Sequence, residues 1–225
     1  MSRVRLDEDG EMYIKVKSKG NTKDFGKEWD DGGGGQVKQI CIWYGDLVCG
    51  IQVSYERNGT TFLSERHGGT EGDFEQIQFH EPITWVSGHY GSWCLEPDIY
   101  ADEEEAPYNY TQVIRSLKFG TDQATYGPFG YETGTPFRFK MNTGCAGFHG
   151  HSSSNEDYGY LKAIGVYVRS LAKSPLVGGS SLSVPPPTPS LIPKVEVEGN
   201  QVEGEIESIF SEGIDHDACR RGIRQ

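Results

Sequence analysis

Between residues 13 and 168 apolar and polar positions alternate in short runs, and no stretch before residue 171 repeats its apolar residues at helical spacing. Tyr13-Ile14-Lys15-Val16-Lys17 reads as a first strand, followed by a glycine- and charge-rich loop up to Trp29. Residues 37–44 and 47–55 read as two strands joined at Gly45-Asp46, and Asn58-Gly59 predicts a hairpin turn before Phe62. The alternation continues through 74–79 and 83–90, breaks over the acidic connection between Tyr90 and Tyr110, and resumes at Thr111. Residues 113–119 predict a strand with Val113, Arg115, Leu117 and Phe119 on one side and Ile114, Ser116 and Lys118 on the other. A glycine-rich turn is expected at Tyr126-Gly127-Pro128-Phe129-Gly130, with a new strand from Pro136. The pattern specifies an all-β class of antiparallel strands.

The same pattern divides the chain. Residues 1–12 carry no periodicity and read as a flexible leader, and 13–169 form the domain. Residues 170–225 read as a linker rich in proline and serine, stiffened at Pro185-Pro186-Pro187, and then an acidic disordered tail. In that tail valines alternate with glutamates from Val195 before the composition turns acidic.

Composition narrows the class further. The chain holds 30 glycines, about twice the usual ~7%, without a collagen period, which suits an all-β fold with many tight turns. A net charge of −12 argues against nucleic acid and anionic membranes as partners, because both require a basic surface. The first residues place acids where a signal peptide needs an apolar run, so a cytoplasmic or nucleocytoplasmic location is expected. Cys41, Cys49, Cys94, Cys145 and Cys219 are odd in number and widely spaced, which predicts buried free thiols. The sequons at Asn58 and Asn109 are incidental without a secretory route.

Catalytic signals are weak. His149 and His151 share a strand face, but no second ligand cluster accompanies them, so no metal is expected. Gly32-Gly33-Gly34-Gly35 precedes a strand, not the helix N-terminus a phosphate cradle needs. No enzyme activity and no cofactor are expected.

A sugar site asks for less: a few rigid donors and acceptors, an aromatic face, and glycines that let backbone N–H groups come close. Several words in order bear on it: Trp29-Asp30-Asp31-Gly32, the 113–137 stretch, Gly147-Phe148-His149-Gly150, and Leu161-Lys162-Ala163-Ile164-Gly165-Val166-Tyr167-Val168. This ordered set, over about residues 13–169, closely resembles the jacalin-related lectins, plant carbohydrate-binding domains that function in stress and defence. The resemblance implies a β-prism of three antiparallel four-stranded sheets. It also implies a sugar site made of two loops: a glycine loop before the Trp-Asp-Asp-Gly word, and a Gly-x-x-x-Asp loop before the last strand.

Carried over by position, the site residues are Gly26 in the first loop and Gly159, Tyr160 and Leu161 in the second. Phe25 stands where the family commonly has a second glycine, Tyr158 stands at the motif glycine, and Lys162 occupies the place of the sugar-binding aspartate. An ammonium donates but cannot accept, so the acceptor is lost there, and Asp157 in the lengthened loop is the candidate substitute. Lys162 reads equally as a solvated surface charge. Trp29 is expected in the core, with Asp30 or Asp31 forming a turn.

The implied partner is a mono- or oligosaccharide, free or on a glycoprotein, and a homodimer is compatible with the family. An unbroken chain through Asp24-Phe25-Gly26-Lys27 leans toward mannose or glucose, since family members cleaved there tend toward galactose. The alternative is a degenerate lectin domain serving as a protein-interaction module.

Overall fold

The computed structural model describes residues 3–6, 12–23, 25–94, 110–155, 158–170 and 195–198. Its strands, in chain order, are β1 (Arg3–Leu6), β2 (Met12–Lys15), β3 (Lys19–Gly20), β4 (Lys27–Asp30), β5 (Gln36–Tyr44), β6 (Val48–Arg57), β7 (Thr60–Leu63) and β8 (His67–Gly68). They continue with β9 (Asp73–Gln78), β10 (Trp85–Cys94), β11 (Tyr110–Gly120), β12 (Thr125–Gly130), β13 (Thr135–Met141), β14 (Cys145–Ser152), β15 (Leu161–Arg169) and β16 (Val195–Glu198).

The strands form three antiparallel sheets, ordered β1-β2-β15-β14-β4 with β3 also on β15, β7-β6-β5-β9 with β8 also on β6, and β12-β11-β10-β13-β16. The expected four strands per sheet are visible once two interruptions are recognised. β2 and β3 both pair β15, and β7 and β8 both pair β6, so each couple acts as one broken strand. The other two strands, β1 and β16, come from outside residues 13–169. The leader contributes β1, paired with β2 from Arg3↔Lys15 to Leu6↔Met12. The expected disordered tail contributes β16, whose Val-Glu alternation has the period of a strand. The acidic 102–105 run, Cys219 and the remainder of the tail lie outside the described residues.

One core lies where the three sheets face each other, and Phe119 of β11 is its hub. Its ring centroid stands 6.1 Å from Phe129 in its own sheet, 6.2 Å from Phe148 of β14, and 6.4 Å from Phe79 just past β9. Cys41, Cys49 and Cys145 are buried free thiols, and burial pushes Cys49 up to about 11 and Cys145 to about 12. Among the described residues no group of three metal-ligating side chains is present, and no helix is long and apolar enough to cross a membrane.

Two local expectations are corrected. Residues 126–130 are not the connection but most of β12, paired with β11. The turns fall on either side, at residues 121–124, where the Thr121 Oγ1 accepts from the Gln123 and Ala124 amides, and at 131–134. Proline is tolerated in β12 because this strand is a sheet edge. The strict alternation in β11 also fails. A register shift against β10 passes from Ser116↔His89 to Ile114↔Tyr90 and skips Arg115. Ile114 therefore joins Leu117 in the main core, while Val113 packs into a satellite cluster with Leu47 and Cys49.

Sheet interiors also hold a titratable group. His149 of β14 is buried, and its Nε2 lies 2.8 Å from the Val16 carbonyl oxygen, placing the proton on that nitrogen. Burial, then the nearby Lys15 ammonium, lower its pKa to about 4 against the opposing influence of Val16, Asp30 and Glu28. The unfolded imidazole takes a proton near pH ~6.5, whereas the folded one resists until about 4. Stability is therefore whole above pH ~6.5 and falls as pH drops toward 4, by roughly 2–3 kcal/mol. His149→Gln, which keeps a donor for Val16, should flatten that limb in urea titrations at successive pH values. An unchanged pH profile would refute the assignment.

Candidate functional site

The structure brings the two carried-over loops together. β3 and β4 flank the first loop on the same sheet as β14 and β15, with Ser152 opposite Lys27 and Ala163 opposite Gly20. Gly26 has φ +154°, and a Cβ there would collide with the Ser152 carbonyl oxygen and touch the Lys162 side chain. Only glycine lets the first loop lie this close to the second.

Lys162 is not a solvated surface charge. It is 3% exposed, and its Nζ donates to the Phe25 carbonyl oxygen at 2.5 Å, its one hydrogen bond among the described residues. The Lys162 carbonyl in turn accepts from the Asn21 amide. The side chain is a strut joining the two loops. Nothing local in the sequence distinguishes such a lysine from an exposed one, because the acceptor is a backbone carbonyl 137 residues away.

The second loop is held from within. Ser153 N donates to the Tyr160 carbonyl, Tyr160 N to the Ser153 hydroxyl, and Tyr158 N to the Asn155 side chain. Gly159 is buried against the backbone of another sheet, where a Cβ would stand 2.6 Å from the Gly69 amide nitrogen. A Cβ would also collide with the Asn155 carbonyl oxygen of its own loop, so the tight fold of that loop requires glycine as well.

The structure also places the side chains of its neighbours. Leu161 is fully buried in the core. The Tyr160 ring packs on the satellite cluster; burial raises its hydroxyl pKa, against a hydrogen bond with Thr111. Asp157 lies outside the described residues.

Two aromatic residues stand where the resemblance expects glycines, and both are exposed: Phe25 completely and Tyr158 at 68%. One belongs to each loop. The departures from the motif were the available signal for these rings, since a large apolar side chain at a loop tip has no core to enter.

Trp29-Asp30-Asp31-Gly32 has a supporting role. Trp29 is buried and stacks on His67, centroids 4.0 Å apart at 8°. Asp30 forms the turn, accepting from the Gly32 amide at 2.9 Å, and also binds Lys15 and the Tyr167 hydroxyl. Burial raises the Asp30 pKa, but these partners outweigh it and hold the carboxyl below its ordinary value. Asp31 does something else: it accepts from the Tyr55 hydroxyl at 2.8 Å and from His67 Nε2 at 2.6 Å, tying β4's end to β6 and β8. A cleft of about 410 Å³ lies over this network, bordered by Lys27, Trp29, Phe62 and His67, and a second of about 440 Å³ is bordered by Arg57, Pro82 and Arg169. Neither of these two clefts is bordered by Gly26 or residues 158–162.

Comparison with known proteins bears on this arrangement. The model of the jacalin-like lectin domain matches residues 16–167. Jacalin-related lectin 3 of Arabidopsis thaliana is 37% identical over 153 residues, 66% of this chain and 22% of that protein. Jacalin-related lectin 19 of the same plant is 34% identical over 145 residues, 64% of this chain and 74% of that protein. Among solved structures, a mannose-specific jacalin-related lectin from Morus nigra in complex with mannose aligns with TM-score 0.54 and 31% identity, covering 69% of this chain and 94% of that one.

Proposed function

The chain belongs to the jacalin-like lectin family, and we propose that it binds carbohydrate without chemistry, with a mannose or glucose preference and a weakened site between residues 25–26 and 158–162. The observation that carries this reading is the assembled loop pair, with Gly26 set against Ser152 and Lys162 bridging to Phe25. Phe25 and Tyr158 offer apolar faces to the C–H side of a sugar ring, while backbone groups of the two loops supply polar contacts. The mannose-bound relative from Morus nigra supports the sugar class.

The weakness follows from Lys162. A mannose hydroxyl pair needs acceptors, and the position that supplies a carboxylate in the family here holds a donor already committed to Phe25. The same strut favours a second reading, in which the domain has given up sugar and serves as a protein-interaction module. A glycan array on the full chain separates the two. Under the lectin reading, mannose- or glucose-terminated oligosaccharides are retained above galactose-terminated ones, and Phe25→Ala with Tyr158→Ala removes the signal. Retention of no glycan at all favours the interaction module.

A further inference from the structure

The edge of β13 alternates in chemistry. Phe137, Phe139 and Met141 are buried, while Arg138 and Lys140 between them are half-buried cations. One edge pairs β10, from Trp85↔Lys140 to Tyr90↔Thr135. The other is occupied by β16, with Met141↔Val195, Lys140↔Glu196, Phe139↔Val197 and Arg138↔Glu198. At every one of these positions the partner is complementary: aliphatic opposite apolar, acid opposite base. Arg138 lies 4.6 Å from the Trp85 ring, and its Nε is buried without a hydrogen-bond partner among the described residues.

We propose that the β13 edge is a strand-acceptor site for extended segments alternating aliphatic and acidic residues, with the chain's own residues 195–198 as its exchangeable occupant. An uncovered edge exposes a row of ladder groups that recruits other strands, and adding a strand there is an established mode of peptide recognition. The occupant is short. Its cross-strand pairs contribute roughly 0.2–1 kcal/mol each, too little to hold a free peptide of this length firmly. Attachment within one chain changes the balance, because an intramolecular partner acts at an effective concentration on the order of millimolar. The segment therefore covers the edge in the resting chain and yields to a longer strand of the same pattern.

The test uses the full chain and a tail variant, Val197→Pro, which removes a ladder donor from the occupant and leaves the prism unaltered. Hydrogen exchange over residues 135–141 should be about tenfold or more faster in the variant than in the wild type. A fluorescent peptide of residues 193–200 should bind the variant and bind the wild type at least about tenfold more weakly, because the tethered copy competes. Lys140→Glu in the Val197→Pro background should weaken that binding, and added salt should weaken it in the variant. Equal exchange in wild type and variant would overturn the proposal, as would a peptide that fails to bind the variant at millimolar concentration. Protection of β13 that grows with protein concentration in the wild type would also overturn it, because the occupant would then come from a second copy.

Discussion

Asp31→Ala is expected to lower the free energy of unfolding by roughly 3–5 kcal/mol, the cost of removing one member of a buried polar network. Asp31 and His67 side chains are each 5% exposed, and the carboxylate holds His67 and the Tyr55 hydroxyl at 2.6 and 2.8 Å. Truncation strands both partners away from water. Tyr55 is wholly buried, and its hydroxyl pKa is raised well above 10, first by burial and then by Asp31. A domain's stability is typically ~5–15 kcal/mol, so the midpoint of thermal unfolding should fall by on the order of 10 °C. Asp31→Asn should recover only part of the loss, because its amide group turns one acceptor into a donor facing a donor. In the Asp31→Ala background, Tyr55→Phe should cost little more, since its partner is already gone. A melt shifted by less than about 2 °C would show that the network is not what joins these two sheets.

This network also shows what can be read from local pattern. The strands at 37–44, 47–55, 74–79 and 83–90 were legible because apolar residues recur through short runs bounded by turn residues, and Asn58-Gly59 adopts positive φ at both residues. The same turn made the hairpin partner β7 legible, whereas β3, β4 and β8 were not: each has two to four residues, and β3 and β4 take their partners from the far end of the domain. Asp30 and Asp31 are alike in sequence, yet one closes a turn and the other bridges sheets; the difference depends on Tyr55 and His67, which only the fold brings near. The bulge at Arg115 and the strand at Val195–Glu198 belong to the same class, since pairing geometry determines both. At the site, positional resemblance named Gly26 and residues 159–161, and the fold sets their two loops side by side; that Leu161 enters the core while Tyr160 packs on the Leu47 and Cys49 cluster depends on pairing that no local word reveals.

Lys162→Asp is expected to raise affinity for methyl α-mannoside about 5- to 150-fold, the equivalent of regaining one well-placed acceptor at ~1–3 kcal/mol. The strut can be given up at modest cost. Phe25 is fully exposed, so water can replace the ammonium at its carbonyl, while the shorter side chain vacates space beside Gly26. A carboxylate there faces the loop with two acceptor oxygens where a sugar's hydroxyls need them. Lys162→Met supplies the control: it removes the charge and the bridge to Phe25 without adding an acceptor, and no gain in affinity should follow. Titration calorimetry with methyl α-mannoside, and with the galactoside for comparison, reads all three proteins. A gain in both Lys162→Asp and Lys162→Met would mean that the strut blocks the site sterically and that the acceptor lies elsewhere. If Lys162→Asp gains nothing while its fold is intact, the aromatic tips Phe25 and Tyr158 and the lengthened loop between Ser152 and Tyr160 are what exclude the sugar. The interaction-module reading then explains the assembled loops better, because a buried lysine bridging two loops is a means of fixing a surface for another protein as well as a means of losing a sugar.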